Sequence, residues 1–355
     1  MTELNQTKVE TFAGKMMDIL NGGMLSLMTS IGHQTGLFEA MADLPPSTSA
    51  QIAAVAGLNE RYVREWLNTM VTGKIVEYTS ENHTYRLPAE HAALLTQAAG
   101  PGNLAVFARM TPLLSAVENG IIDGFRHGGG VFYDQFLDFS ALWASVNEQT
   151  FERTLISKVM PLMPDVMVAL EAGIDVLEIG CGEGHSANLM AKTYPNSRFT
   201  GYDFRERALD EARTKAVSLG SRNVRFVRKD LREMEESGAY DLVAAFDVIH
   251  DQAQPKVVLQ NVITALKPGG TFLMVDIKAS SHVHENVDHP MGPFLYTIST
   301  MHCMTVSLAL DGEGLGAMWG EQKALEFLAE AGFTDIVVKQ VEGDPINNFY
   351  IARKR

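Results

Sequence analysis

The second half of the chain alternates short apolar runs with segments of helical periodicity. From about residue 166 onward, the apolar runs predict seven strands, at 175–179, 198–203, 224–228, 241–246, 271–276, 335–341 and 347–353. Helical segments fill the gaps between the first five strands, which predicts a parallel sheet with helices on both faces. Only residues 342–346 separate the last two strands, too few for a crossover, so we expect the last strand to run antiparallel. The predicted fold class is α/β with a seven-stranded sheet.

The first 98 residues follow a different pattern. Residues 8–30 are rich in methionine at helical spacing, and shorter helices and a longer one at 60–71 come after them. Two short β segments, 75–78 and 85–87, then flank a polar turn, as in a hairpin. Helices followed by a hairpin are the order of a winged helix. We therefore predict a helical winged-helix domain over residues 1–98.

A mostly helical region, 99–165, connects this domain to the α/β domain at 166–355. It contains the glycine break 128–130, and an aromatic cluster follows, made of Phe132, Tyr133, Phe136, Phe139 and Trp143. We interpret the region as a linker that also caps a substrate site.

The first strand of the α/β domain leads into a turn rich in glycine. The sequence from Val176 to Gly184 reads Val-Leu-Glu-Ile-Gly-Cys-Gly-Glu-Gly, and a helical pattern follows. Residues without side chains let the backbone approach a ligand closely, so a strand, a glycine turn and a helix indicate a nucleotide site. The dinucleotide fingerprint is Gly-x-Gly-x-x-Gly. Here the third glycine comes one residue early, and an acid precedes the first glycine by two residues.

The pattern Glu-x-Gly-x-Gly-x-Gly at 178–184 resembles the class I S-adenosylmethionine-dependent methyltransferases, whose sheet also ends in an antiparallel pair. The resemblance implies S-adenosyl-L-methionine as the cofactor. An acid about 20 residues past the glycines can accept hydrogen bonds from both ribose hydroxyls, and Asp203 has that spacing. By resemblance, Asp230 receives the adenine amino group and Glu178 supports the ammonium end. The predicted cofactor-binding set is Glu178, Gly180, Cys181, Gly182, Gly184, Asp203, Phe204, Asp230, Leu231, Phe246 and Asp247.

A histidine and an acid, His250 and Asp251, follow the fourth strand of the α/β domain. Methyl transfer to a hydroxyl needs a base, and histidine has a suitable pKa. The winged-helix small-molecule O-methyltransferases, best known from plant phenolic metabolism, carry a His-Asp pair here, and the chain resembles them. The resemblance implies that His250 is the general base with Asp251 beside it. Their pair is followed by Trp, whereas Gln252 stands here, and no second acid that would orient the base is evident. A structural or cofactor-lining role for His250 is the alternative.

Methionine and aromatic residues after the fifth strand suggest an apolar acceptor pocket, although such residues also build cores and dimer interfaces. The predicted acceptor-binding set is Tyr133, Phe136, Phe294, Met301, Met304 and Trp319. His282, His284 and His289 lie in the same insertion, but without a supporting Cys or carboxylate pattern we predict no metal site.

Charge and composition narrow the function classes. The formal net charge of −14 argues against bulk attraction to nucleic acid or to an anionic membrane. Two cysteines, no basic-then-apolar leader and no apolar run of about 18 residues favour a cytoplasmic protein. A DNA-binding regulator with a cofactor-sensing methyltransferase-like domain is the rival interpretation. Residues 39–98 hold seven acids against four Lys and Arg, so we expect the winged helix to form a homodimer instead of binding nucleic acid.

Overall fold

The computed structural model describes residues 4–355, apart from the side chains of Pro101 and Leu137. The chain divides into two compact units, the first ending at Ala116 and the second beginning at Val117. The three-region division at 98 and 165 stays a prediction. In the described residues, no helix is both long and apolar enough to cross a membrane.

The first unit is helical with one small hairpin. Its elements are α1 (Gln6–Gln34), α2 (Leu37–Ala42), α3 (Ser49–Ala56), α4 (Glu60–Thr72), β1 (Glu77–Thr79), β2 (Thr84–Arg86), α5 (Ala89–Leu95), α6 (Leu104–Ala108) and α7 (Met110–Ser115). Thr48 starts α3 with a capping box to Gln51. Strands β1 and β2 pair antiparallel, so the helix-then-hairpin order is confirmed. Trp66 packs against Phe38 in the core of this unit, and its indole donates a hydrogen bond to the Met28 carbonyl.

The second unit contains the large sheet. Its strands are β3 (Asp175–Ile179), β4 (Arg198–Asp203), β5 (Val224–Arg228), β6 (Tyr240–Phe246), β7 (Leu266–Ile277), β8 (Thr334–Lys339) and β9 (Asn347–Arg353). Its helices are α8 (Glu118–His127), α9 (Leu137–Thr154), α10 (Pro164–Ala172), α11 (His185–Thr193), α12 (Glu206–Leu219), α13 (Pro255–Ala265), α14 (Gly292–Ile298), α15 (Met304–Leu308) and α16 (Glu321–Glu330).

The strand order is β5-β4-β3-β6-β7-β9-β8, and β9 runs antiparallel to both of its neighbours, as expected. The strands carry continuous apolar runs because alternate residues enter two separate cores, one on each face. Leu177 and Val243 belong to one core, and Val176 and Leu242 to the other. The chain steps outward from β3 to β5 and then returns to β6 on the other side of β3. This reversal opens a crevice at the carboxyl ends of β3 and β6, where ligands bind in such sheets.

Gly184, the last glycine of the turn, has no room for a side chain. Its φ is +68°, and a Cβ there would lie 2.7 Å from Ala212 Cβ and from the Phe226 ring. Gly220 has nearly the same φ, +67°, but open space around it. Gly220→Ala should therefore lower the free energy of unfolding by about 1–2 kcal/mol, the cost of left-handed backbone. Gly184→Ala should lose about 1–3 kcal/mol more from overpacking. Urea unfolding of the two variants checks this, and equal losses would contradict the close packing of the turn.

Candidate functional site

Two adjoining cavities lie at the carboxyl ends of the central strands. An outer cavity of about 430 Å³ is lined by Asp203, Phe204, Asp230 and Leu231 among others. An inner cavity of about 150 Å³ is lined by Glu178, Gly182, His250 and an aromatic group from the segment before and within α9. The residues shared by both linings are Tyr133, Gly180, Arg205, Asp247 and Asp251. The predicted cofactor residues other than Gly184 thus line two cavities that adjoin through these shared residues, and Gly184 instead packs against Ala212 and Phe226.

Asp203, at the end of β4, forms hydrogen bonds with both the glycine turn and Arg205. Its carboxylate accepts a hydrogen bond of 2.9 Å from the Gly182 amide in the glycine turn. It also accepts from the backbone amide and the guanidinium of Arg205, and that guanidinium lies 4.9 Å from the centre of the Tyr133 ring. Asp203 is at the position that its spacing from the glycines predicted, whereas no sequence pattern pointed to Arg205. Asp230 begins a short 3-10 turn and is ion-paired with Arg232 at the outer cavity.

Two carboxyl groups at the inner cavity, on Glu178 and Asp247, each have a buried oxygen without a hydrogen-bond partner among the described residues. Glu178 accepts a short hydrogen bond from the Ser186 hydroxyl, and its other oxygen has no partner among the described residues. Asp247 adopts a φ of +55° just after β6, and its Oδ1 also has none there. Burial raises the pKa of Glu178 to about 8 and, with smaller contributions from nearby acids, that of Asp247 to about 7. Carboxyl oxygens without a partner at a cavity wall suit a ligand with a positive charge and N–H donors.

Cys181 and Phe246 complete the predicted cofactor set. The Cys181 amide donates to the Tyr202 carbonyl, and burial raises the pKa of its thiol well above the usual range, so the side chain is inert. Phe246 lines the inner cavity and packs against Phe151. His185, the first residue of α11, also lines this cavity.

Glu178→Gln should stabilise the ligand-free protein at alkaline pH. The Glu178 pKa is about 8 in the folded state and near 4.5 in the unfolded chain. Between these values the folded state holds a proton that the unfolded state releases, so stability falls as pH rises through this window. Glutamine imitates the neutral acid and removes that fall. Thermal melts from pH 5.5 to 8.5 measure it. Glu183→Gln is the control, because the Glu183 pKa is lowered, chiefly by its hydrogen bond with His185. Parallel slopes in the parent and Glu178→Gln would contradict the assignment.

His250 is held by an acid that the sequence did not reveal. It lies in the short turn Ile249–Asp251 after β6, and its Nδ1 donates to Asp276 Oδ1 at 2.7 Å. Asp276 is fully buried near the end of the neighbouring strand β7. The carboxylate fixes the proton on Nδ1, which leaves Nε2 as the nitrogen that exchanges a proton. The only available signal was the acid that interrupts the apolar run at 272–277.

Asp251 and Cys303 stand beside the other ring nitrogen. The His250 Nε2 lies 3.3 Å from Asp251 Oδ1, and these two groups and the Cys303 sulfur lie within 4.8 Å of one another. Burial alone would lower the pKa of His250, but Asp276 and Asp251 outweigh it and hold this pKa well above its usual range. Burial raises the pKa of Cys303 to about 12, so the thiol stays protonated. These three groups are also of kinds that ligate metals, and the absence of a metal stays a prediction.

The predicted acceptor residues are only partly gathered at the inner cavity. Tyr133 lines it, and Phe136 is buried just behind, against His302 and Phe139. Trp319 instead packs on Phe327 in the sheet core. Among the described lining residues, neither cavity includes Phe294, Met301, Met304 or Trp319, and their roles toward an acceptor stay predictions. Phe139 and Trp143 of the predicted aromatic cluster also line the inner cavity, and the lining residues that the sequence did not indicate include Leu295, Ile298, His302 and Cys303.

Comparisons with known proteins agree with this architecture. Residues 23–97 match the Rv2258c-like winged HTH domain family, and residues 170–332 match a methyltransferase domain family. In sequence, the chain is 26% identical over 196 residues to an S-adenosyl-L-methionine-dependent Diels-Alderase from Talaromyces variabilis. The aligned region covers 52% of this chain and 62% of that protein. The chain spans less than two thirds of the length of the curated relatives it matches.

Solved structures resemble the chain over nearly its whole length. The mitomycin 7-O-methyltransferase MmcR superposes with a TM-score of 0.71 at 18% identity, covering 98% of this chain and 100% of its own. Human N-acetylserotonin methyltransferase in complex with SAM gives 0.62 at 19% identity, covering 99% of both chains. At these identities the likeness concerns the fold. The chain therefore carries an Rv2258c-like winged helix-turn-helix domain followed by a methyltransferase domain, whose fold is that of the class I, S-adenosylmethionine-dependent methyltransferases.

Proposed function

We propose that this protein methylates an oxygen atom of a small apolar or aromatic acceptor, with His250 as the general base. The observation that carries the proposal is the hydrogen bond from His250 Nδ1 to the buried Asp276. A base must present one fixed nitrogen to its substrate, and a carboxylate on the opposite nitrogen provides that. Asp251, 3.3 Å from Nε2, stabilises the imidazolium after the proton has been taken.

The residues of the crevice have separate tasks in this reaction. S-adenosylmethionine supplies, when bound, an activated methyl group. Glu178 and Asp247 would hold its charged amino acid end, Asp203 its ribose, and Asp230 with Leu231 its adenine. The buried inner cavity excludes water and aligns the acceptor, which is most of what a displacement at an activated methyl requires.

The lining of the inner cavity supports a small aromatic or apolar acceptor. Its apolar wall consists of Phe139, Trp143, Leu295 and Ile298, and Tyr133 adds an edge near Arg205. MmcR, a fold neighbour, is an O-methyltransferase by name. Transfer to nitrogen, sulfur or carbon is the alternative within the same fold, and it would not need His250 to remove a hydroxyl proton.

A two-part experiment tests this function. Calorimetry with S-adenosylmethionine and with S-adenosylhomocysteine should show binding. Incubation with S-adenosylmethionine labelled at the methyl group and a panel of phenols, amines, thiols and fatty acids should then transfer label to a phenol. Binding without transfer to any oxygen acceptor would contradict O-methylation, and absence of binding would contradict the whole proposal.

We also propose that the protein is a homodimer through its amino-terminal unit. Helix α1 presents an apolar side to solvent, with large exposed side chains at Phe12, Met17, Leu20 and Met24, each more than half exposed. An apolar stripe of this length is stable in water when a partner covers it. A second copy of the chain supplies an identical stripe, as a two-fold interface requires.

The dimer should dissociate when charges enter this stripe. We expect the parent to sediment as a dimer and Leu20→Glu/Met24→Glu as a monomer, because burying two carboxylates in an apolar interface is costly. Val217→Glu is the control, since Val217 is 81% exposed on α12 of the other unit. Analytical ultracentrifugation distinguishes the states, and a monomeric parent would contradict the assignment.

The match to a winged helix-turn-helix family favours a second candidate, a DNA-binding regulator. The surface of α4 argues against it, because Arg61 pairs with Glu65 and Arg64 with Glu60, leaving little free positive charge. A fluorescence anisotropy titration with genomic fragments at physiological salt decides the matter, and specific submicromolar binding would establish the regulator. The cytoplasmic location inferred from the sequence stays a prediction.

A further inference from the structure

His302 is a buried polar residue that the proposed mechanism does not use. It lies in the π-helical turn Ser299–Cys303 between α14 and α15, and π-helical turns are frequent at functional sites. Its side chain lines the inner cavity together with His250. It is 5% exposed, and its Nε2 nitrogen has no hydrogen-bond partner among the described residues. A buried nitrogen without a partner destabilises the free protein, so a ligand is the natural source of the missing bond.

Three aromatic rings fix the orientation of His302. The ring centres of Tyr133, Phe136 and Phe139 lie 5.3, 4.8 and 4.6 Å from its own. Burial among them lowers the pKa of His302 to about 4, so the imidazole is neutral at physiological pH. A neutral imidazole has one N–H donor and one acceptor nitrogen, and it can bond a hydroxyl or a carbonyl.

The segment that carries these rings is anchored to the helix behind His302. The Val131 amide donates to the Thr305 hydroxyl at 2.9 Å. A Cβ on Gly130 would lie 1.9 Å from the Thr305 carbonyl oxygen, so the two backbones are in direct contact. The aromatic wall and His302 therefore form one rigid side of the cavity, prepared before any acceptor arrives.

The acidic side chains that line the inner cavity outnumber its Lys and Arg side chains and disfavour an anionic acceptor. Glu178, Glu183, Asp247 and Asp251 line it, and Arg205 is the only Lys or Arg among its described lining residues. The Arg205 guanidinium is already engaged by Asp203. An acceptor carboxylate would find no unpaired arginine or lysine there, and the imidazole of His250 already faces Asp276 and Asp251, so the carboxylate would lose its hydration without compensation.

We propose that His302 selects a neutral aromatic acceptor that carries a second polar group besides the one that is methylated. The Nε2 nitrogen of His302 forms a hydrogen bond with this second group, which is an uncharged hydroxyl or carbonyl. The inference rests on the proposed function, because it specifies the class of acceptor for the same cavity. It makes His302 a specificity residue, while His250 handles the proton.

The test compares simple probes with the protein saturated by S-adenosylhomocysteine. Catechol, resorcinol and hydroquinone carry a second hydroxyl at three positions, phenol lacks it, and the three hydroxybenzoates replace it with a charge. We expect the best diol to bind at least tenfold more tightly than phenol or any hydroxybenzoate. In His302→Phe the diol should fall to the affinity of phenol, with phenol itself little changed, and His302→Gln should restore part of the preference because its amide can reach the same place.

The melting temperature and the binding of S-adenosylhomocysteine distinguish a failure of this proposal from a failure of the proposed function. His302→Phe keeps the aromatic packing and removes the unpartnered nitrogen, so its melting temperature should equal or exceed that of the parent. A lower melting temperature with equal loss of every probe would mean a structural role and would overturn the proposal. The proposal would also be overturned if the parent showed no preference for a diol, or if that preference persisted in His302→Phe. If S-adenosylhomocysteine does not bind the parent, the proposed function itself fails. The control variant is His282→Phe, which replaces an exposed histidine and should leave the diol preference unchanged.

Discussion

Replacing His250 by glutamine should reduce turnover by about 10²–10⁴-fold, the usual contribution of a general base, while S-adenosylhomocysteine still binds. Glutamine cannot accept the acceptor's proton, and most of the predicted cofactor residues lie at the ends of β3, β4 and β5, away from the turn that carries His250. Turnover is measured with the acceptor found by the labelled-methyl panel, and binding by calorimetry. His284→Gln is the control, since His284 is exposed outside both cavities. Unchanged turnover in His250→Gln would show that alignment alone is enough for catalysis.

His250→Gln also leaves Asp276 buried without its partner, which reduces stability and could itself lower turnover. The pH profile of the parent enzyme gives a check that does not depend on this variant. The neutral imidazole is the active form, and the neighbouring carboxylates raise the His250 pKa well above its usual range. Activity should therefore rise with pH through an acid limb that lies above pH 6.5. Removing the charge in Asp276→Asn lowers that pKa and should move the limb toward acid pH, together with a lower maximal rate. A limb that stays in place would contradict base catalysis by His250.

Replacing Asp203 by alanine should weaken cofactor binding by about a hundredfold or more. Hydrogen bonds to a charged group contribute about 1.5–3 kcal/mol each, and a ribose offers two hydroxyls. Every 1.4 kcal/mol corresponds to about tenfold in affinity. Asp203→Asn should lose less, because its amide oxygen can still accept from the Gly182 amide. Calorimetry with S-adenosylhomocysteine provides the measurement.

The control for Asp203 is Asp210→Ala, which removes an exposed acid paired with Arg213 on α12. Its affinity should equal that of the parent. If Asp203→Ala also binds like the parent, the ribose assignment is wrong. Loss of folding is checked by circular dichroism, since Asp203 also holds the Gly182 amide of the turn.

The strands and the glycine turn could be predicted because their signals are local. All seven predicted strands correspond to strands of the large sheet, and the short link at 342–346 correctly implied the antiparallel end. A strand buried on both faces must be apolar throughout, and a tight turn at positive φ needs glycine, as at Gly180, Gly182 and Gly184. The 21 residues from Gly182 to Asp203 span one helix and one strand, so spacing alone placed both at the same edge of the sheet.

The acceptor side of the site could not be predicted to the same extent. Trp319 has the same apolar character in the sequence as the cavity residues, yet it belongs to the sheet core. Which apolar side chains face a cavity depends on how the insertion after β7 folds back, and no periodicity records that. No sequence pattern singled out His302, because the three rings around it come from residues about 165 positions earlier in the chain.

The sequence by itself determined that the protein has a methyltransferase sheet, a glycine-rich turn after the first strand of that sheet and a histidine after β6. Only the tertiary structure decided that His250 has an orienting acid and that His302 faces the same cavity. Asp276 follows His250 by 26 residues, with a helix and most of β7 between them. The parallel pairing of β6 with β7 brings their carboxyl ends together, so residues distant in the chain become hydrogen-bonded neighbours. Such contacts are set by strand register and packing, which a single sequence does not display.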